Sequence, residues 1–409
     1  MLGESQAGSV TENLAQTAPI APEKRASVGL VVFMMPRCRR DHIRAVHKQA
    51  YSLRQECYDV VLVVKDGDIG EYLGMQVIRA RAPFGSVLRP LLNLPALIRQ
   101  AISLDGDIYV LRNPDTILLA LVLRLFRRNV IYDTHEDFSK RPLIRDAYPE
   151  WIRPAIASTI TALERLLART TSGVLVTQVQ QLKTIGGRTF FQPNAPLTSG
   201  PIIDAAYCVD VKPLHDQLSL IYVGEISRQR GIFSMLELAA EINKQISCRL
   251  KLVGWFLSEH TRKQAGNHEG WQYVNYCGRL SHAETLAHIR EADIGLAILD
   301  RVADYPTTSI TKLFEYMQFG VPFVASNFPA WQVNTQRGAA GLYVDPESPA
   351  DILRATQTLA SNAGLRRQLG SAGRQYVEAE FNWETISRSF VSIVNESLQR
   401  KRSTNSSTR

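Results

Sequence analysis

Short runs rich in valine and isoleucine alternate with amphipathic helical patterns along most of this chain, and that rhythm restricts its fold more than any other feature. The first group is VGLVVFMM (28–35), DVVLVVK (59–65), MQVIRA (75–80), DIYVLR (107–112), NVIYDTH (129–135) and GVLVTQ (173–178). A second group follows, LSLIYVG (218–224), RLKLVGW (249–255), WQYVNYCG (271–278), DIGLAIL (293–299) and VPFVAS (321–326). Apolar runs of this length between polar turns read as strands buried on both faces, and the segments between them as crossover helices. The pattern predicts an α/β protein built from βαβ units around parallel sheets. Between Asn194 and Gln217 no period is sustained, which predicts a linker over 197–217. The expected organisation is an N-terminal domain over 28–196, a C-terminal domain over 218–380, a closing helix over 381–400 and a basic tail over 401–409. A length of 409 residues is ample for two cores, and no internal repeat is visible.

Several classes are excluded early. Residues 1–27 lack the basic start and apolar core of a signal peptide and carry glutamates foreign to a transit peptide, so they read as a disordered, cytoplasmic N-terminus. The apolar stretch Ile117 to Phe126 is about half the ~20 residues a membrane span needs, and it contains Arg124, so it reads as a buried helix. The helix expected over 150–171 carries Ile152, Ile156, Ile160, Leu163 and Leu167 on one face. The 5 cysteines form no CxxC or CxH pair, which favours a reducing compartment over a disulfide framework or zinc ribbon. A net charge of +8 suits anionic partners, whether phosphates, nucleic acid or an acidic membrane surface.

In open parallel sheets ligands bind beyond the carboxyl ends of strands, so two such domains facing each other would hold a site in the cleft between them. No GxxxxGK[ST], strand-following GxGxxG, GxSxG or HExxH motif is present, which removes the usual kinase, dehydrogenase, lipase and zincin signatures. Two Asp-Gly-Asp triplets, Asp66–Asp68 and Asp105–Asp107, have the carboxylates to hold a divalent cation, but strand-flanking turn chemistry explains both.

Three loops carry more information. Val223 to Gly231 joins a strand to a helix; its glycines allow close backbone approach, and Arg228 and Arg230 offer planar forks for phosphate. Two surface arginines in a turn are the plainer reading of that loop alone. Pro306 to Pro322 places hydroxyls at Thr307, Thr308, Ser309 and Thr311 at a predicted helix start, where free amides and the helix dipole suit an anion. Thr311 and Glu315 are one turn apart with Lys312 beside them, and Glu315 can accept two hydroxyls, as on a ribose; an ordinary surface Lys-Glu pair has the same spacing. Tyr132 to Phe138 gathers Asp133, His135, Glu136 and Asp137 at a strand end, where His135 is either a donor to a sugar hydroxyl or leaving oxygen, or a structural histidine.

At these residues the sequence resembles the family-4 retaining glycosyltransferases, which have the GT-B fold of two Rossmann-like domains. YVGEISRQRG resembles the family's glycine loop, ADIGLAIL its strand before the donor site, KLFEYMQFGVPFVAS its donor helix and YDTHEDF its N-domain strand end. GLYVDPESPADI and FNWETISRSFVSIVNESL resemble its late segments, the last being the closing helix that crosses back onto the first domain in this fold. The resemblance implies that Gly224 lies near the donor diphosphate, Arg230 takes the usual lysine place on the phosphates, Glu315 binds the nucleotide ribose and His135 lies near the donor sugar. Thr307 stands where the family's Glu-x7-Glu pattern has its first glutamate, and Glu225 where a basic residue is common, so Arg228 or Lys312 is the candidate replacement for that charge.

The implied activity is metal-independent, retaining transfer of a sugar from a nucleotide diphosphate sugar, bound by the C-terminal domain, to a glycan or lipid-linked acceptor held mainly by the N-terminal domain, in surface polysaccharide synthesis. The implied partners are that nucleotide sugar and acceptor, with peripheral contact to an anionic membrane and no nucleic acid; no cofactor is called for. A GT-B-fold sugar-nucleotide epimerase and a catalytically degenerate partner subunit are the rivals. Since the phosphate-directed residues lie in the second half and both triplets in the first, activity is expected to survive EDTA and the substitutions Asp66→Asn and Asp105→Asn. Loss with EDTA and specific recovery with Mn²⁺ or Mg²⁺ would overturn the metal-free expectation.

Overall fold

The computed structural model describes residues 26–65, 69–84, 89–138, 140, 149–212, 217–302, 305–308 and 310–406, the side chains of the last helix being described to residue 400. Residues 1–25 of the expected N-terminus, Asp66–Asp68, Ser309 and the last residues of the basic tail lie outside these. The described residues divide into two compact units, one comprising those of 26–194 with 386–406 and the other those of 195–385.

The first unit is an 8-stranded sheet in the order β3-β4-β2-β1-β5-β6-β7-β8. Its strands are β1 (Leu30–Met35), β2 (Asp59–Val64), β3 (Gly70–Tyr72), β4 (Met75–Arg79), β5 (Ile108–Arg112), β6 (Asn129–Thr134), β7 (Gly173–Val176) and β8 (Thr189–Phe191). All neighbours pair in parallel except β3 with β4. Alternate residues of β1 enter opposite cores: Val31, Phe33 and Met35 one, Val32 and Met34 the other. Burial on both faces is what an unbroken apolar run implies for a parallel strand. One face is covered by Val46 and Leu53 together with Phe390, Ile393, Val394 and Leu398 of the C-terminal helix Trp383–Ser406. Those helix positions follow the i, i+3, i+4 and i+8 spacing of a single apolar stripe.

The second unit is a 6-stranded sheet, β11-β10-β9-β12-β13-β14, in which every neighbouring pair is parallel. Its strands are β9 (Leu218–Ile226), β10 (Cys248–Phe256), β11 (Val274–Gly278), β12 (Ile294–Ala297), β13 (Phe323–Ser326) and β14 (Gly341–Val344). Strand order reverses between β1 and β5 in one unit and between β9 and β12 in the other, and the carboxyl ends at such switch points are where open α/β sheets take ligands.

Several expectations are corrected. The stretch expected to be an irregular linker contains the helix Pro201–Cys208, whose 8 residues are too few to show a period. The closing helix starts at Trp383, and from Ile386 its residues belong with the first unit. The run from Trp271 is strand only from Val274, because Glu269–Tyr273 forms a 3-10 turn. In the helix Ile117–Leu125 the residues Ile117, Leu119, Ala120 and Leu123 are buried, but Leu125 is 82% exposed and Phe126, just beyond it, 55%. In Arg153–Thr170, Ile156, Ile160 and Leu163 are only half-buried and Leu167 alone of the expected face is fully covered. Asp105 and Asp107 lie at the amino end of β5, away from the ligand end: Asp105 pairs with Arg128 at 2.5 Å and Asp107 accepts the Leu30 amide at 3.0 Å.

β9 and β10 approach one another closely where both end. Gly224 and Gly254 stand opposite in register with φ of 116° and 152°, and a Cβ on Gly254 would fall 1.7 Å from the Gly224 carbonyl oxygen. Gly254→Ala is therefore expected to destabilise the protein by about 1–3 kcal/mol, through backbone strain and displacement of β9. Gly266→Ala, whose Cβ would meet nothing within 4 Å, is the control and should be neutral or slightly stabilising. Denaturant midpoints of the two variants check this; equal midpoints would remove the steric role of the Gly224–Gly254 pair.

Candidate functional site

The second unit gathers its polar side chains at the β9 end of the switch point. β9 runs through Gly224 into the 3-10 turn Arg228–Arg230, and Gly231, with φ 74°, opens the helix Ile232–Ile242. A Cβ on Gly231 would lie 1.9 Å from the Ile298 carbonyl oxygen, just past β12, so only glycine lets this loop pass so near that strand's end. Beyond β12 the helix Thr311–Gln318 is fixed to the sheet by Tyr316, whose ring covers Gly295 and whose hydroxyl donates to the Leu296 carbonyl at 3.1 Å. The segment before this helix is held by Trp331, which donates from Nε1 to the Thr308 carbonyl at 2.9 Å.

This framework buries Lys312. Its side chain is 8% exposed, its Nζ has no hydrogen-bond acceptor, lies 3.8 Å from the Tyr222 ring centroid, and faces Gly224, where an added Cβ would be 3.7 Å away. Burial foremost, then the nearby Arg230 guanidinium, pushes the ammonium pKa well below its usual value, while Glu315 and Glu225 pull the other way. The surface-pair reading of Lys312 and Glu315 thus fails for the lysine: it is in the core of the site. Glu315 is half-buried, with Oε1 3.9 Å from His282 Nε2.

Arg230 pairs with Glu225 at 2.8 Å, lies over the Tyr305 ring at 5.4 Å, and keeps its Nε without a partner. Burial lowers its pKa, but Tyr222, Tyr305 and Glu225 outweigh that and hold it above the usual guanidinium value. Arg228 does not join the group, since its guanidinium covers the Phe233 ring at 4.4 Å and donates to Gln264 Oε1 at 3.2 Å. The helix begins at Thr311 with Ile310 as its N-cap and no side-chain capping bond, so the hydroxyl cap expected from Thr307, Thr308 and Ser309 is not formed by the described residues. Thr308 instead lies in the preceding turn and donates from Oγ1 to the Tyr305 carbonyl at 3.5 Å. Sequence reading missed Tyr222, Tyr305 and His282. The available signal for Tyr222 was strand alternation, which puts residues 222 and 224 on one face.

His135 sits just past β6 in the first unit, half-buried, with its ring edge-on to His42 at 6.4 Å and to Phe138 at 5.1 Å. Burial foremost, then Arg112, holds it well below the usual histidine pKa, so it is neutral at physiological pH. Beside it Glu164, absent from the sequence reading, accepts from Thr134 Oγ1 at 2.8 Å. Among the described residues no group of three or more His, Cys, Asp or Glu could hold a metal ion.

Residues 210–376 match the family described as Glycosyl transferases group 1. The matched segment lies within the second unit. A glycogen synthase of Mycobacterium tuberculosis is 22% identical over 256 residues, 59% of this chain and 58% of that protein, so the match spans a little over half the relative's length. Sucrose-phosphate synthase from Thermosynechococcus elongatus superposes with a TM-score of 0.69 at 19% identity, covering 90% of this chain and 98% of its own. Anabaena Alr3699/HepE in complex with UDP-glucose superposes with a TM-score of 0.66 at 12% identity, covering 90% and 100%. These likenesses establish the GT-B fold, with its two parallel-sheet α/β domains. The segment similar to group 1 glycosyl transferases includes the Gly224 loop, Lys312 and Glu315.

Burial raises the Glu164 pKa to about 7, the Thr134 hydrogen bond opposing and Asp137 adding to it. A folded-state pKa above the unfolded one favours the fold at low pH, an advantage lost as pH rises from about 4.5 through about 7. Glu164→Gln, which keeps an acceptor for Thr134, should therefore be more stable than the parent by about 1–3 kcal/mol at pH 8, with the gap closing toward pH 4.5. Denaturant unfolding across that range checks this; a gap independent of pH would mean Glu164 titrates normally.

Proposed function

We propose that the protein is a retaining glycosyltransferase that takes its sugar from a nucleotide diphosphate sugar. The observation that carries this is the Lys312 ammonium, buried beside Gly224 with no hydrogen-bond acceptor and with Arg230 adjacent. A buried ammonium with no hydrogen-bond acceptor is costly, and a diphosphate seated against the Gly224 loop would supply both further negative charge and acceptors. The match of residues 210–376 to group 1 glycosyl transferases and the UDP-glucose in the HepE structure favour this ligand class.

In this reading Glu315 holds the ribose hydroxyls, while Arg230 and Lys312 stabilise charge on the leaving diphosphate, electrostatic work that needs no metal. The leaving phosphate takes the acceptor's proton, and His135 contributes to the donor sugar. The acceptor is a glycan or lipid-linked sugar in polysaccharide assembly, a choice supported by the +8 charge, which suits contact with an anionic cytoplasmic membrane face. No helix among the described residues is long and apolar enough to cross a membrane. The Arg230–Glu225 ion pair, which occupies part of the phosphate-directed guanidinium, favours a second reading, a partner subunit that binds donor without turning it over.

Glu315→Ala should weaken binding of the cognate nucleotide diphosphate by about 1.5–3 kcal/mol, the value of charge-assisted bonds to two hydroxyls. Calorimetric titration across a panel of nucleotide diphosphates tests this, with release of nucleotide diphosphate from the sugar donor separating enzyme from binding subunit. Unchanged affinity in a folded Glu315→Ala protein would remove the ribose role.

A further inference from the structure

The first unit has its own excess of buried positive charge at its switch point. Arg112 ends β5, Asp133 is the next-to-last residue of β6, and Arg44 comes from the π-helical segment Ile43–Ala50 that follows β1. All three are at least nine-tenths buried. Asp133 is already well supplied with donors: Arg44 gives Nε at 3.0 Å and Nη2 at 2.9 Å, and Gln49 gives Nε2 at 3.2 Å. Arg112 reaches that carboxylate only as an ion pair at 3.6 Å. Its Nη1 donates to His42 Nδ1 at 3.3 Å, and that same Nδ1 caps the segment by accepting the Ala45 amide at 3.3 Å, which leaves the His42 proton on Nε2.

What remains is unbalanced. Two guanidiniums face one carboxylate, and Arg112 Nε, Arg112 Nη2, Arg44 Nη1 and His135 Nδ1 have no hydrogen-bond partner. Burial pulls the His42 pKa down to about 3, with Arg112 adding to the effect, so neither histidine contributes charge and both offer neutral ring nitrogens. Burial opposes ionisation of Asp133, yet Arg44 and Arg112 hold its carboxyl well below the usual range, so the buried trio of Arg44, Arg112 and Asp133 carries one net positive charge, which Glu136 offsets only in part through its weaker pull on Arg112. A structural ion pair would need only one arginine for this carboxylate. The second guanidinium, with donors unused and its Nη1 on the half-buried His42, has the chemistry of an oxyanion receptor, and the imidazole beside it can bond a sugar hydroxyl.

We propose that Arg44, Arg112 and His42 form an anion-accepting subsite of the first unit, next to the His135 assigned to the donor sugar, which takes a sugar bearing a phosphate ester or a carboxylate. That this sugar is the acceptor rests on the glycosyl-transfer reading; its binding does not. The arginines hold the anionic group, and the His42 imidazole holds a neighbouring hydroxyl.

Hydrogen exchange of the full-length protein, read by peptide, tests it with D-glucose, D-glucose 6-phosphate and D-glucuronate as probes. At least one anionic sugar should give saturable protection of residues 42–50 and 129–138, and D-glucose none. The phosphate ester and the carboxylate arms then say which anion is preferred. Removing Arg44 would strip Asp133 of two donors and risk unfolding, so the variant of choice is Arg112→Lys, which keeps the charge and loses the fork. It should weaken the anionic-sugar protection at least tenfold while a nucleotide diphosphate still protects residues 223–231 as in the parent. Absence of anion-dependent protection, protection confined to 223–231 and 311–315, or undiminished protection in Arg112→Lys would each overturn the proposal. Failure of the nucleotide arm alone would instead count against the donor reading.

Discussion

A lysine ammonium taken out of water without a hydrogen-bonding partner is among the costlier arrangements a fold can contain. The second unit maintains one at Lys312, and much of the local architecture is what holds it there. Tyr316, one helical turn further on, has its ring over Gly295, so the helix cannot rotate to bring the lysine to solvent without losing that packing. Tyr222 offers the π face against which Nζ rests, a partial compensation that leaves the nitrogen's hydrogen-bonding capacity unused. Gly224 and Gly254 keep the adjoining strand ends narrow and free of side chains. Each of these features preserves room beside a cation rather than neutralising it.

Glu225 takes on a different meaning in this setting. As a residue standing where a basic one is common, it looked like lost affinity for phosphate. The structure pairs it with Arg230 at 2.8 Å, and together with Glu315 it is one of the two carboxylates that draw the Lys312 pKa upward. A guanidinium shared with a movable surface carboxylate can exchange that partner for a phosphate oxygen, because the pair is only partly buried and its net strength is modest. The same carboxylate therefore lowers the cost of an empty site and can be displaced when it fills.

The sheets were legible because a parallel strand buried on both faces has to be apolar throughout, and segments such as DVVLVVK and LSLIYVG are. What escaped were short edge elements, Gly70–Tyr72, Thr189–Phe191 and Gly341–Val344, too brief for a period to register. The helix Pro201–Cys208 was lost for the same reason. Within the candidate site, Gly224, Arg230, Lys312 and Glu315 are singled out by loop position and spacing alone. Spacing could not say that Lys312 is buried, since i, i+3 geometry is the same on a wet helix face as on a dry one. For Arg228, a one-dimensional loop does not reveal that its guanidinium lies over Phe233 and bonds Gln264.

Residues far apart in sequence are harder still. Asp133 and His135 belong to one visible motif, but Arg44 and Arg112 join them from two other segments, and neither has a local signature. Only the strand order, which makes β5 the neighbour of both β1 and β6, brings those carboxyl ends side by side. The two units thus use one device with different means. In the second, a lysine and an arginine answer two glutamates beside a glycine pair; in the first, two arginines answer one aspartate under two uncharged imidazoles. A lysine's point charge and an arginine's planar fork discriminate among oxyanions differently, so the chemistry each switch point selects should differ.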